Sequence, residues 1–490
     1  MRSLYDAETV RAAEKPLLDS LPDGTLMQRA ATALARRCAQ LLGTTYGARV
    51  VLLVGSGNNG GDALHAGAAL ARRGARVDAL CVGETTHPGG RAAFAAAGGR
   101  LHRAGADRDG DTLGEADLVV DGLLGIGAEG PLRPAYARLA RLAGDCGAVI
   151  VAVDVPSGVD ASTGAADPDA VRADVTVTFG AGKIGLLVAP GAAHAGTVEV
   201  VDIGLSLPPA SVTALDAGDV AELVPLPEAE TDKYRRGVLG VVAGSDRYTG
   251  AAVMAVGGAL ATGVGMLRFV GAAHPAELVR QHWPEVVVVV AEPGDTAALG
   301  QAGRVQAWVV GSGLGTDDAA AATVRSVLDA EEPVVLDADA LTIVAGHPDW
   351  LRERRGPTLL TPHAGEFARL CGAERDDVEA RRLHHVRQAA RDLGVTVLLK
   401  GSSTLVADPE GRVRVNTAQT AYLGTAGSGD VLTGVCGALL AGGLSTLDAG
   451  SAGAFLHGLA GLIAVATPAG PITAMDVVRR LPDAVRGVRS

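Results

Sequence analysis

The chain has 490 residues, 48% of them hydrophobic but only 3% aromatic, so it is long enough for two or three domains whose cores must be built from Ala, Val and Leu. A formal net charge of −12, with no Lys/Arg cluster, excludes a non-specific nucleic-acid binder. Five scattered cysteines (Cys38, Cys81, Cys146, Cys371, Cys436) with no CxxC pair give neither a disulfide framework nor a zinc site, and point to a reducing, cytoplasmic setting.

The first segment, MRSLYDAETVRAAEKP, carries acids where a signal peptide needs an apolar stretch, and no uninterrupted apolar run approaches ~18 residues, so no membrane span is expected. Short runs that are apolar on both faces follow, as buried parallel strands are: Arg49–Val54, Arg76–Cys81, Leu118–Asp121, Ala148–Asp154, Val175–Phe179 and Thr197–Ile203. Helical stretches such as Asp62–Arg73 and Ala135–Leu142 lie between them. The alternation predicts a doubly wound α/β domain. Glycines, 67 in all, cluster after the apolar runs, which suggests backbone brought close to ligands.

Strand Arg49–Val54 runs into Gly55-Ser56-Gly57-Asn58-Asn59-Gly60-Gly61-Asp62 and then a helix. Such a turn offers free N–H groups at a helix N-terminus to an anion. The Gly55-x-Gly57-x-x-Gly60 subset matches the dinucleotide fingerprint. Asp78, the acid that should hold a ribose, sits inside a strand, which argues against a conventional NAD oxidoreductase. Asp62 is either a functional acid or only the helix N-cap. Two further loops, Asp121–Pro131 and Asp154–Asp160, follow strands, where open α/β sheets place ligands. Asp121, Asp154, Asn59 and Ser157 make an oxygen-rich set suited to a hard cation. The plain alternative is that the two acids cap their own loops.

These three loops resemble the NAD(P)H-hydrate epimerase domain over about residues 1–210, a Rossmann-like fold assigned here to residues 1–215. The resemblance implies substrate contacts at Asn58, Asn59, Gly60, Gly61 and Asp62, at Gly125, Ile126, Gly127, Ala128, Glu129, Gly130 and Pro131, and at Asp154. It implies potassium ligands at Asn59, Asp121 and Ser157. Ala63 and Ile126 stand where the family usually has Gly and Thr. Asp154 is the candidate acid/base residue, with Asp62 as the runner-up.

Ser206–Pro227 holds four prolines with little periodicity, and a linker is expected near Ser211–Glu228. The strand–helix style then resumes with Gly237–Gly244, Val286–Val290, Ala307–Val310, Pro333–Asp337, Thr358–Leu360 and Val395–Lys400. Ser403–Ala407 and Arg412–Asn416 read as a hairpin. Loops at the predicted carboxyl ends gather on one sheet edge: Gly244-Ser245 with Tyr248–Ala252, Gly311–Gly315, Asp337–Leu341, Thr361-Pro362-His363-Ala364-Gly365-Glu366 and Lys400–Thr404. The sharpest is Gly424–Gly434, in which Gly427-Ser428-Gly429-Asp430 would open a helix towards a transferring phosphoryl group, with Asp430 placed to take a proton. Asp430 as a plain N-cap, Lys400–Thr404 as a β-turn and His363 as a buried, satisfied histidine are the structural alternatives. His457 reads as helix packing.

The helix start at Gly427–Asp430 resembles the ribokinase-like superfamily, an α/β/α fold, and the whole set resembles its ADP/ATP-dependent NAD(P)H-hydrate dehydratases over about residues 225–490. Ala426 replaces a frequent Gly. The resemblance implies hydrate contacts at Ala251 or Ala252, Gly313, His363 and Asp430, and nucleotide contacts at Lys400, Gly401, Ser402, Ser403, Thr404 and Gly429. The expected function is repair of hydrated NADH or NADPH: epimerisation of R and S forms, then dehydration of the S form with ADP (ATP being the other candidate donor), giving AMP and phosphate. Mg²⁺ and K⁺ are the expected ions and a homo-oligomer the expected assembly, with no nucleic-acid or membrane partner. Two other readings stay open: a small-alcohol kinase, and a first half that only binds or scaffolds.

Overall fold

The computed structural model describes residues 1–83, 85–105, 108–128, 130–224, 230–466 and 469–489. The chain divides into two compact units, Ser3–Ala210, and Ser211–Ser490 together with Met1–Arg2.

In the first unit a seven-stranded parallel sheet runs in the order Arg100–Arg103, Arg76–Cys81, Arg49–Val54, Leu118–Gly122, Val149–Val153, Val175–Phe179, Thr197–Val201. Because strand side chains alternate faces, Val50, Leu52 and Val54 feed one core and Val51 and Leu53 the other. The first core takes Leu34 from helix Thr25–Leu42 and Leu64 from helix Asn58–Arg72; the second takes Leu139 from helix Pro134–Gly144. Chain order reverses between Arg49–Val54 and Leu118–Gly122. Their carboxyl-end loops therefore diverge and leave a crevice, where open sheets bind ligands.

The second unit is built on the order Val287–Val290, Met266–Gly271, Val238–Val242, Ala307–Val310, Val334–Leu336, Thr358–Leu360, Thr396–Leu399, Thr404–Ala407, Val413–Asn416, Val212–Ala214. The strands are parallel as far as Thr396–Leu399, and the hairpin then adds antiparallel pairs. Here the reversal lies between Val238–Val242 and Ala307–Val310, beside the loops that open helix Thr249–Thr262 and carry Gly313. Helices Thr249–Thr262, Ser428–Ala441, Thr446–Ala466 and Ala474–Gly487 contribute Val256, Val435, Leu456 and Val477 to one core.

Several expectations need correction. The supposed linker is folded as far as the described residues run: Val212–Ala214 pairs in parallel with Val413–Val415, and Ala217–Leu223 is a helix closed by an Asp216/Asp219 capping box. Residues 225–229 of that segment lie outside the described residues. Strand Met266–Gly271 went unforeseen. Not every glycine serves a ligand. A Cβ on Gly258 would overlap the carbonyl oxygen of Val431, and one on Gly434 that of Ala255, so these glycines let helices Thr249–Thr262 and Ser428–Ala441 touch backbone to backbone. Finally, helix Thr446–Ala466 is long and apolar enough to cross a membrane, although no uninterrupted apolar run was seen; Leu447, Ala452, Leu456 and Ala460 bury it in the core.

Candidate functional sites

At the crevice of the first unit the glycines close the turn. A Cβ on Gly55 would overlap the Leu123 carbonyl, and one on Gly60 the Gly55 carbonyl, whereas Gly57 faces open space. Helix Asn58–Arg72 begins there with Gly57 as its N-cap, so Asp62 lies inside the helix and is not its cap. Gly125 packs against the Asn59 amide, where no Cβ would fit. Asn59 Nδ2 donates to the carbonyls of Leu124 (3.1 Å) and Val153 (2.6 Å). Ser157 Oγ donates to Asp121 Oδ1 (2.7 Å) and accepts from the Leu124 amide (3.0 Å). The amides of Ser157 and Leu123 also donate to Asp121. Asn59, Asp121, Ser157 and the Gly125 loop are thus one connected cluster.

Asp121 is fully buried, and burial pushes its carboxyl up to about 6, with the Ser157 and Leu123 donors opposing. Its partners are all neutral, so the ionised form is a buried anion short of a cation. Together with the clustered carbonyl and hydroxyl oxygens, that donor set fits a hard monovalent cation. Gly125, Ala128, Gly130 and Pro131 border a cleft of about 300 Å³. Ile126 and Gly127 are secured from behind by Arg11, whose guanidinium donates to the Ile126 carbonyl (2.8 Å). Glu129 lies outside the described residues.

A second cluster forms around Asp154. This residue holds φ 69°, in the left-handed region that aspartate and asparagine enter more readily than other side chains. Its Oδ1 accepts from Lys183 Nζ (2.6 Å), Thr178 Oγ1 (3.0 Å) and the Phe179 amide (3.2 Å). Lys183 is buried, 1% exposed, and also donates to the Phe179 carbonyl (2.7 Å). Asp62 is buried too, with Oδ1 lacking a hydrogen-bond partner among the described residues. Burial, then Asp154 and Glu14, hold its carboxyl well above the usual range. Glu14, from helix Ala7–Ser20, is raised by burial and Asp154 while Lys183 and Arg11 oppose. Sequence reading named Asp62 and Asp154 but missed Lys183, Glu14 and Arg11. A lone lysine between apolar residues in Ala181–Leu187 was the available signal, because a buried cation needs a partner.

In the second unit, Gly427 at φ 85° caps helix Ser428–Ala441, and a Cβ there would overlap the Met254 sulfur. Asp430 sits in the first turn, beyond the cap position. Burial and then Asp337 push its carboxyl up to about 6, with Asp339 adding and Ser312 and Lys400 opposing. Asp337 is 1% exposed; it accepts from Lys400 Nζ (2.8 Å) and Thr433 Oγ1 (2.6 Å). Lys400 also lies 3.9 Å from Glu366. Burial works against the charge on Lys400, but Asp337 and Glu366 outweigh it and raise its pKa. A Cβ on Gly429 would sit 3.3 Å from Lys400 Nζ, so the ammonium and the helix N-terminus converge on one spot.

His363 is exposed rather than buried and satisfied. Its Nδ1 accepts from the Gly365 (3.0 Å) and Glu366 (3.2 Å) amides, capping helix Ala364–Cys371. That fixes the proton on Nε2. Its pKa is lowered by partial exclusion of water, with Lys400 and Arg369 adding and Glu366 opposing. His363, Lys400, Gly401, Ser402, Thr404 and Gly429 line a cavity of about 750 Å³; Ser428 and His457 form its floor, with Ser428 Oγ 3.1 Å from His457 Nε2. Burial drops the His457 pKa to about 4, so the ring is neutral. Ser403 is buried away from the cavity. Gly313, at φ 65°, abuts Ala251, while the Ala252 side chain is fully buried and presents no surface. Arg382, unforeseen and 4% exposed, donates to the carbonyls of Lys400 (2.8 Å) and Leu399 (3.1 Å) and holds the Lys400–Ser402 turn from behind.

Two family models match the chain: "YjeF-related protein N-terminus" over residues 23–185 and "NAD(P)H-hydrate dehydratase" over residues 239–482. The bifunctional NAD(P)H-hydrate repair enzyme Nnr of Mycobacterium tuberculosis is 49% identical over 454 residues, covering 92% of this chain and 91% of its own. The enzyme of that name from Thermofilum pendens is 34% identical over 98% of this chain and 97% of its own. Among solved structures, the ADP/ATP-dependent NAD(P)H-hydrate dehydratase of Bacillus subtilis, co-crystallised with ATP/Mg²⁺, superposes with TM-score 0.51 at 27% identity, over 56% of this chain and 99% of that one. A ribokinase-like protein of Enterococcus faecalis (TM-score 0.52, 21% identity, 58% of this chain and 98% of that one) supports the fold of the same region.

Proposed function

This chain belongs to the bifunctional NAD(P)H-hydrate repair enzymes, which interconvert the epimers of hydrated NAD(P)H and dehydrate the S form, and we propose the residues by which each unit does so. The small-alcohol kinase and scaffold readings give way, because relatives sharing both units along nearly their whole length are named for hydrate repair.

The observation that carries the dehydratase half is Asp430, held in the first turn of helix Ser428–Ala441 with Lys400 beside Gly429. The hydrate bears a hydroxyl on a ring carbon next to nitrogen, and hydroxide leaves poorly near neutral pH. Asp430, with its carboxyl near 6, is ionised at pH 7 and takes the hydroxyl proton. The amides of Gly427–Gly429 and the Lys400 ammonium stabilise charge on the phosphoryl group being transferred. The ring nitrogen's lone pair then expels phosphate, and the resulting cation loses a proton from C5 to give the reduced nicotinamide.

His363 and Gly313 flank the hydrate, while Gly401, Ser402 and Thr404 face the nucleotide. ADP is our proposed donor. Among the described residues no group of three His, Cys, Asp or Glu side chains forms a metal cluster. Mg²⁺ carried on the nucleotide phosphates would supply charge neutralisation there.

In the first unit, Asn58–Asp62 and Gly125–Pro131 hold the coenzyme's anionic groups and Asp154 moves the proton. K⁺ at Asn59, Asp121 and Ser157 would supply the positive charge that Asp121 lacks. A cytoplasmic homo-oligomer completes the proposal; the five free cysteines support the location. The test is an absorbance assay of mixed hydrate epimers with ADP or ATP. Conversion of both epimers with ADP is expected; a stable phosphorylated product with no reduced nicotinamide would overturn the reading.

A further inference from the structure

We infer that Asp62 and Asp154 divide the proton transfers of epimerisation, Asp62 as the donor and Asp154, ion-paired with Lys183, as the acceptor, and that the substrate ring opens between them. The inference rests on the epimerase reading of the first unit and deepens it.

The two carboxyls stand in opposite environments. Asp154 Oδ1 is pinned by the Lys183 ammonium, the Thr178 hydroxyl and the Phe179 amide, three donors that stabilise a carboxylate and fix its direction. Asp62 has no such support. It is 7% exposed, its Oδ1 is buried without a partner, and the charges facing it, Asp154 and Glu14, are both negative. A buried carboxylate with no donor and two like charges nearby is costly; the protonated acid is not. Lys183 and Arg11 are the cations facing the neighbouring Glu14. Paired carboxyls whose environments differ in this way are the recurring arrangement for one acid and one base.

The substrate's chemistry needs such a pair. Carbon 6 of the hydrate bears both the hydroxyl and the ring nitrogen. Asp154 takes the hydroxyl proton, the C6–O bond becomes C=O, the C6–N1 bond breaks with its electron pair going to N1, and Asp62 delivers its proton to N1. Rotation about C5–C6 presents the other face of the aldehyde. N1 re-adds, its proton returns to the Asp62 carboxylate, and Asp154 returns the first proton to oxygen. Nothing is oxidised or reduced. Loss of the hydroxyl instead would give the cation that yields reduced nicotinamide by losing a C5 proton, which would bypass the nucleotide-dependent step.

The experiment uses the full chain and isolated R-epimer, with S-form dehydration followed in the same samples. Asp62→Asn is expected to slow interconversion by about 10²-fold or more. It should also abolish the alkaline limb of the pH profile, and Asp62→Glu should restore both in part. Lys183→Gln should slow interconversion as well, because it removes the ammonium that holds Asp154 Oδ1. Wild-type turnover in ¹⁸O-water, which depends on no variant folding, should leave the substrate oxygen in place. Asp62→Asn with a rate within about twofold of wild type and an unaltered alkaline limb would overturn the inference, as would one solvent oxygen gained per inversion. A wild-type chain that dehydrates the S form but never interconverts epimers would overturn the epimerase reading itself.

Discussion

Lys400 Nζ lies 2.8 Å from Asp337 Oδ1 while standing beside Gly429 at the start of helix Ser428–Ala441. One buried carboxylate, itself held by Thr433, thus fixes an ammonium at the point where a phosphoryl group would arrive. Asp337 follows strand Val334–Leu336 and Lys400 follows Thr396–Leu399, so the pair depends on the sheet. Removing the lysine strands Asp337. Lys400→Met is expected to lower stability by about 3–5 kcal/mol, as breaking a buried pair does, and to raise the nucleotide KM. The Lys400→Met/Asp337→Asn double variant should recover most of the stability but not the KM. Thermal unfolding and steady-state kinetics separate the two effects.

Asp430→Asn should cut S-form dehydration by about 10²–10⁴-fold, the usual worth of a general base, with nucleotide binding retained. In the wild type the active form is the carboxylate, so the rate should hold near neutral pH and fall as pH drops through about 6, where Asp430 takes up its proton. Rates followed by the absorbance of reduced nicotinamide at several pH values check this. A profile flat well below that point would remove Asp430 from the role.

Arg382 meets the cavity wall through the Lys400–Ser402 turn, whose carbonyl at Lys400 it holds at 2.8 Å. Arg382→Met should therefore raise the nucleotide KM about tenfold or more while kcat changes less, since a misplaced turn weakens binding before chemistry. Equal losses in both constants would place Arg382 elsewhere in the mechanism.

The two-sided apolar strands and the glycine-rich loops were legible because burial on both faces and positive φ leave marks on local sequence. Strand Met266–Gly271 was not, because Arg268 breaks its apolar run; in the fold that side chain turns aside to the Ala302 carbonyl. Val212–Ala214 was hidden by the prolines before it, and its order comes from pairing with a strand some 200 residues later. The site divides in the same way. Asn59, Asp121, Asp154 and Asp430 sit at strand ends or helix starts and announce themselves. Lys183 and Arg382 act through carboxylates or carbonyls distant in sequence, and only the tertiary fold brings them there.

Gly258 and Gly434 interlock helices Thr249–Thr262 and Ser428–Ala441, each facing a carbonyl oxygen of the other helix. Backbone cannot retreat as a side chain can. Gly434→Ala is expected to cost more than the ~1–3 kcal/mol usual for overpacking and to lower the unfolding temperature of the second unit. Dehydration should fall while R–S interconversion persists.

Asp121 makes stability depend on pH and on cation together. Its carboxyl is raised from 3.8 to about 6 by burial, so the folded chain holds this proton more tightly than the unfolded chain does. The associated stability is fully present below about pH 4, is lost as pH rises to about 6, and stays lost above, by at most about 3 kcal/mol. A monovalent cation at Asn59, Asp121 and Ser157 reverses that loss, because it binds the ionised carboxylate of the folded state only. At a hundredfold excess over its Kd it adds about 2.7 kcal/mol. Near pH 7.5, replacing tetramethylammonium by K⁺ should therefore raise the unfolding temperature of the first unit by several degrees, and the gain should vanish near pH 4. Asp121→Asn should unfold at the same temperature in both salts. A K⁺ response undiminished in that variant would place the cation away from Asp121.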